Sequence, residues 1–245
     1  MSSPTAARRR MYNATGDHYE TGRYGDRHME SYRSFRDHTL LSILHDTFGD
    51  QRLRILEVGC GTGLTLDFLA KHTQHVTYGS DLSETMLRQA AEKMNERTGR
   101  VRLALADAAK LPYREGFFDV VFATRFIHQF EHETKRRLWQ ELQRVTRTGG
   151  LMVIEFYARP YHWVRYFLGG SKGRSRSEYF YHFPSKREVR DIVQRPFETY
   201  PLRLLGSRVI ANALGDERTR TVTRVGGRLA GGLLVDEYFL AARKS

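Results

Sequence analysis

Leu53–Gly63 reads LRILEVGCGTG, and the reading of this stretch decides the fold. Leu53, Ile55, Leu56 and Val58 form an aliphatic run too short for a globular helix, which predicts a strand buried on both faces. Gly59, Gly61 and Gly63 mark the end of that strand. Glycine reaches backbone angles closed to other residues, and its missing side chain lets a ligand lie directly against the main chain.

Working outward, Leu64, Phe68 and Leu69 fall at helical spacing, and HVTYGSD alternates into a second strand ending at Asp81. Ser83 is placed to cap the next helix, with Glu84 in its first turn and Met86, Leu87, Ala90, Ala91 and Met94 as its apolar stripe. VRLALAD reads as a third strand and FFDVVFA as a fourth. Leu138, Leu142 and Val145 then line a helix closed by Arg147 and Gly149, before LMVIEF as a fifth strand. ETYPLRLL and DEYFLAAR supply the last two. Strands alternating with helices of this length predict an α/β fold, a doubly wound and mostly parallel sheet whose ligands bind at the carboxyl ends of its strands.

Composition sets outer limits. A chain of 245 residues with 40% hydrophobic content can bury one large core. No window approaches the roughly 18 consecutive apolar residues of a membrane span. Cys60 is the only cysteine, which excludes an internal disulfide and multi-cysteine metal motifs and predicts a cytoplasmic setting. The histidines show no ligand spacing, so no metal is expected. A net charge of +12 favours anionic partners. Much of it lies between Arg159 and Arg190, where Arg165, Lys172, Arg174, Arg176, Lys186 and Arg187 face only Glu178 and Glu188. Residues 1–16, with Arg8, Arg9 and Arg10 and no acid, read as a disordered basic tail. Residues 158–183 mix aromatics with SKGRSRS and read as an insertion over the site.

Three acids end three successive strands: Glu57, Asp81 and Asp107. In a doubly wound sheet these ends adjoin, so the carboxylates should line one crevice. An acid about 20 residues past the glycines can accept from ribose hydroxyls, which suits NAD equally well. The dinucleotide fingerprint needs a third glycine at its sixth position, which here is Leu64, and the loop has no Lys or Arg for a pyrophosphate. A cationic or neutral ligand is therefore expected.

The succession LEVGCGTG, GSDLSETML, ADAAKLPYREGFFDVVFATRFIHQF and ELQRVTRTGGLMVIEF resembles the class I S-adenosylmethionine-dependent methyltransferases, in their ubiquinone/menaquinone-biosynthesis-like, small-molecule branch. The likeness covers about residues 50–157. It implies a Rossmann-like, seven-stranded sheet with an antiparallel last strand, an N-terminal helical lid over residues 17–50, a catalytic domain over 51–245, and S-adenosyl-L-methionine as cofactor with S-adenosyl-L-homocysteine as product. It further implies that Gly59, Gly61 and Gly63 pass the methionine portion beside Glu57, that Asp81 holds the ribose, and that Asp107 with Ala108 meets the adenine. Leu82 and Met86 would pack on the ring, and Thr124 would lie beside the sulfonium.

A small aromatic or anionic metabolite is the expected acceptor. His128, where the family often has histidine, and Tyr19, which resembles a lid tyrosine, are the catalytic candidates. Tyr157, His162 and Trp163, after the fifth strand, are the acceptor-binding candidates. RNA or protein methylation is the alternative, drawn from the basic aromatic segment at 159–190. A further alternative is a cofactor-binding regulatory subunit without turnover. The oligomeric state is not legible.

Overall fold

The computed structural model describes residues 4–15, 19–20, 27–94, 100–157, 186–204 and 235–245. Two N-terminal helices, α1 (Pro4–Thr15) and α2 (Arg27–Phe48), precede β1 (Arg54–Val58). Then follow α3 (Leu64–His72), β2 (Val76–Asp81), α4 (Glu84–Met94), β3 (Val101–Leu105) and β4 (Phe118–Ala123). The remaining elements are α5 (His132–Val145), β5 (Thr146–Tyr157), α6 (Lys186–Val193), β6 (Glu198–Leu204) and β7 (Val235–Arg243).

The seven strands form one sheet in the order β3-β2-β1-β4-β5-β7-β6. Neighbours from β3 to β5 run parallel, and β7 runs antiparallel to both β5 and β6. This is the doubly wound, mostly parallel sheet that alternating strands and helices predict, with its last strand reversed. Strand order reverses direction between β1 and β4, and such a switch point opens a crevice at the carboxyl ends of the two strands.

Both faces of the sheet are buried. On one, Leu56, Val58, Val121 and Met152 pack with Leu138, Trp139 and Leu142 of α5. On the other, Ile55, Val120, Phe122 and Val153 pack with Leu40, Ile43 and Leu44 of α2 and with Phe68 and Leu69 of α3. Helix α2 is thus a layer of the core and more than a lid, because its apolar residues cover the sheet.

Two expectations are corrected. The N-terminal residues, read as a disordered tail, include the helix α1. It is tied down by an Arg9–Glu84 ion pair, a Tyr12–Gln129 hydrogen bond, Ser83 Oγ donating to Asn13 Oδ1 at 2.7 Å, and Arg8 stacked 4.4 Å over the Phe130 ring. These partners lie 70 or more residues away in sequence, beyond the reach of local pattern. The helix expected to close at Arg147 and Gly149 ends instead at Val145. Thr146 already pairs with Phe118 in the sheet, and Arg147 Nε donates to Asp119 Oδ1 at 2.7 Å. A β-branched residue and a charged pair across strands favour the ladder over another helical turn. The Tyr157 backbone ends β5, and His162, Trp163 and the whole 158–183 insertion lie outside the described residues.

Candidate functional site

The glycine turn is built on β2. Gly59 and Cys60 N–H both donate to Ser80 O, at 2.8 and 3.0 Å, which folds the chain back over the neighbouring strand end. The three glycines have positive φ, of 71°, 53° and 76° in order, yet they serve different ends. A Cβ on Gly59 would sit 2.3 Å from the Phe126 ring, and one on Gly63 would meet Ala90 and Met94 of α4 at 3.0 Å. These two glycines permit packing within the protein. Gly61 alone has nothing within 4 Å of a built Cβ, and it faces the cleft.

That cleft lies at the switch point. Its wall includes Tyr19, Arg36, Glu57, Gly61, Thr124 and Arg125. The structure therefore brings together Glu57, Gly59, Gly61, Thr124 and Tyr19 from the sequence-derived set. Glu57 is 2% exposed. Thr124 Oγ1 donates to its Oε1 at 2.8 Å, while Oε2 has no hydrogen-bond partner among the described residues. Burial pushes the Glu57 carboxyl up to about 8, against the pull of the Thr124 hydroxyl and the Arg36 charge. Burial, with Asp81 and Glu57 nearby, likewise pushes the Cys60 thiol up, which leaves it without thiolate character at neutral pH.

The glycine loop itself carries no Lys or Arg, but two bases reach the crevice from other elements. Arg36 of α2 and Arg125 at the tip of β4 both reach the cleft wall. Arg36 is fully buried and organised. Its Nε and Nη2 donate to Asp37 Oδ1 at 3.1 and 2.9 Å, Nη2 also donates to Thr65 Oγ1 at 2.8 Å, and Nη1 lies 3.9 Å from Glu155 Oε2. Arg125 holds a left-handed backbone, φ 49°, rare for a residue with a side chain, and its N–H donates to Glu155 Oε2 at 3.1 Å. Tyr32 OH completes the Glu155 shell at 3.2 Å. Burial and the Glu237 charge raise the Glu155 carboxyl against the pull of the two arginines. Sequence reading missed Arg36 because it sits 18 residues before the start of β1 at Arg54, on a helix with no distinct apolar stripe. The one available signal was an Arg-Asp pair flanked by core residues.

Asp81 and Asp107 sit at the ends of the adjoining strands, outside the wall that holds Glu57. Asp81 accepts from Gly61 N–H (2.8 Å, Oδ2) and Ser83 N–H (2.9 Å, Oδ1), so it fastens the glycine turn to the start of α4. Burial raises its pKa, and the amides of Ser83, Gly61 and Leu82 oppose that. Each of its oxygens keeps a further lone-pair site. Asp107 Oδ1 accepts from Ala109 N–H at 2.9 Å. Leu82 and Ala108 are half-buried and Met86 is buried. His128 stands apart from the cleft wall, 1% exposed in the short helical turn Ile127–Gln129.

Fold and cleft together define a Rossmann-like sheet of the methyltransferase type. Residues 55–150 match the family described as "Methyltransferase domain". The chain is similar to the methyltransferase GfsG of Streptomyces halstedii, 33% identical over 104 residues that cover 41% of this chain and 36% of that one. It is also similar to the ubiquinone/menaquinone biosynthesis C-methyltransferase of Burkholderia orbicola, 32% identical, covering 42% and 43%. The first matched relatives are thus spanned over about a third of their length. Among solved structures, the magnesium protoporphyrin IX methyltransferase of Synechocystis PCC 6803 with bound S-adenosylhomocysteine shares the fold: TM-score 0.69, 18% identity, coverage of 98% and 99%. Over residues 55–150 the chain is thus similar to the class I S-adenosylmethionine-dependent methyltransferases, and its sheet has their fold.

Proposed function

We propose that this chain binds S-adenosylmethionine in the switch-point cleft and transfers its methyl group to a small aromatic or anionic metabolite. The observation that carries the reading is the pairing, in one cleft wall, of a buried carboxylate oxygen without a partner and a buried, pre-organised guanidinium. That wall complements a ligand bearing a cation and a carboxylate on one short chain, as the methionine end of this cofactor does.

The fit extends along the strand ends. Arg36 would take the carboxylate, Glu57 with Thr124 the cationic end, Gly61 the close backbone approach, and Asp81 the ribose hydroxyls. Asp107 with Ala108 would meet the adenine, with Leu82 and the buried Met86 forming the apolar floor. When bound, the cofactor supplies a methyl group on a positively charged sulfur, with its leaving group already attached. The protein's share is alignment and exclusion of water. Proximity and orientation can lower such a barrier by about 7 to 11 kcal/mol. A hydroxyl or ammonium acceptor must also lose a proton, and Tyr19, on the cleft wall, is better placed for that contact than the enclosed His128. Tyr157, His162 and Trp163 remain the proposed acceptor contacts.

A second reading, methylation of RNA, draws support from relatives that act on tRNA and on rRNA. The 18S rRNA (guanine(1575)-N(7))-methyltransferase of Saccharomyces cerevisiae is 28% identical over 159 residues, covering 61% of this chain and 54% of that one. The fold by itself does not require methyl transfer, since the [4+2]-cyclase SpnF shares it, with TM-score 0.58 and 20% identity. Calorimetry with S-adenosylhomocysteine and NADH tests the binding claim: only the former should bind, and Asp81→Ala should weaken it more than tenfold. Preference for NADH, or unchanged affinity in Asp81→Ala, would count against the assignment. Labelled methyl transfer to a metabolite extract and to tRNA then separates the acceptor classes.

A further inference from the structure

Glu57 is built differently from Asp81, Asp107 and Glu155. Asp81 and Asp107 each accept backbone amides, and Glu155 is shared by Arg36, Tyr32 and the Arg125 amide. Glu57 receives one hydroxyl, on Oε1, and its other oxygen is buried against the cleft with no partner among the described residues. An ionised carboxylate so placed lacks the hydrogen bonds that offset its removal from water, and a buried acid in that position keeps its proton.

The surroundings reinforce this. From α2 come Arg36, whose charge is already engaged by Asp37 and neighboured by Glu155, and Asp37 itself, whose charge acts against ionisation of Glu57. From the end of β2 comes Asp81, acting the same way. Cys60 of the turn is a neutral thiol, and β4 contributes the Thr124 hydroxyl and, on the same wall, Arg125, which faces Glu155. Tyr19 closes the wall from the N-terminal segment. Arg36 is thus shared between Asp37 and Glu155, Arg33 lies 3.7 Å from Asp37, and Arg125 acts on Glu155, so no cation is dedicated to Glu57 among the described residues.

We propose that Glu57 carries a proton before the cofactor arrives and releases it to solvent as the cofactor's cationic methionine end settles against Oε2, so that binding is coupled to proton release and strengthens with pH. This deepens the reading of the cleft as a cofactor site and rests on it. Thr124 acts as the positioning residue, fixing Oε1 so that Oε2 faces the ligand. The exchange balances: one proton leaves the carboxyl, one positive charge replaces it, and the buried site keeps its net charge. The arrangement makes Glu57 a specificity-determining residue, because a neutral ligand of the same shape cannot displace the proton.

Calorimetry of S-adenosylmethionine binding in two buffers of different ionisation enthalpy counts the protons directly. With the Glu57 carboxyl at about 8, about nine-tenths of a proton should be released per cofactor bound at pH 7. Affinity should weaken about eightfold from pH 7.5 to pH 6.5. In Glu57→Gln the released proton and the pH dependence should both vanish. The pH profile of the unaltered protein needs no variant to fold. Binding without proton release, or release that persists in Glu57→Gln, overturns the proposal while leaving the cofactor site intact. Absence of any binding by the unaltered protein would instead overturn the cofactor reading on which it rests.

Discussion

A single methyl group added at Gly61 separates the claim that the turn touches a ligand from the claim that the turn is merely a tight bend. Gly61 has φ 53°, and a Cβ built there meets nothing within 4 Å. The cost of Gly61→Ala to the protein alone is therefore the left-handed backbone, about 1 kcal/mol. For a chain of this size that lowers the melting temperature by about 2 to 4 °C. The added methyl points into the cleft, where the cofactor should lie against the main chain, and loss of that contact should weaken binding by more than tenfold, or at least about 1.4 kcal/mol. The assay is paired: thermal unfolding without ligand, and calorimetry with S-adenosylhomocysteine. A small stability loss with a large affinity loss is expected. Unchanged affinity would refute the close approach, and a melting temperature lower by 10 °C or more would show that the turn's glycine serves folding.

Gly63→Ala should show the opposite balance, because its Cβ meets Ala90 and Met94 at 3.0 Å in addition to the strained φ of 76°; a stability loss of about 2 to 3 kcal/mol is expected in denaturant unfolding, and a loss no larger than that of Gly61→Ala would contradict the packing role. Arg36→Leu removes the cation from buried Asp37 and Glu155 and should destabilise the protein by about 3 to 5 kcal/mol, with Arg36→Lys recovering only part; a loss under about 1 kcal/mol would mean the network is not coupled to folding. Glu57 should also leave a mark on ligand-free stability. Its folded pKa, about 8, lies above the ordinary value of 4.5 that holds in the unfolded chain, so its contribution is complete below pH 4.5 and is lost as pH rises towards 8. Glu57→Gln should therefore gain on the unaltered protein as pH rises, by up to about 3 kcal/mol between pH 4.5 and 7, and a pH-independent difference would remove the basis for a protonated Glu57.

The sheet was legible because each strand announces itself locally. The run Ile55–Val58, the alternation ending at Asp81 and the apolar Phe118–Ala123 all fold as read, and the carboxylates do end successive strands. What local pattern could not show was which side chains arrive from elsewhere. Arg36 reaches the cleft only because α2 lays Leu40 and Leu44 on the sheet, and beyond the adjoining Asp37 nothing near Arg36 in sequence records that arrival. For the same reason α1 escaped notice, since its anchors are tertiary: Ser83, Glu84, Gln129 and Phe130. The glycines show a second limit. Their spacing marked a special turn, but only the folded packing distinguishes Gly61, open to the cleft, from Gly59 and Gly63, which make room for Phe126 and α4.

The most direct measurement is a crystal structure of the complex with S-adenosylhomocysteine. The nucleoside should lie across the ends of β1 and β2, with its ribose on Asp81, its methionine chain over Gly61, its carboxylate at Arg36 and its ammonium end within reach of Glu57. A nucleoside bound away from that crevice, or a methionine carboxylate turned towards Glu57, would contradict it.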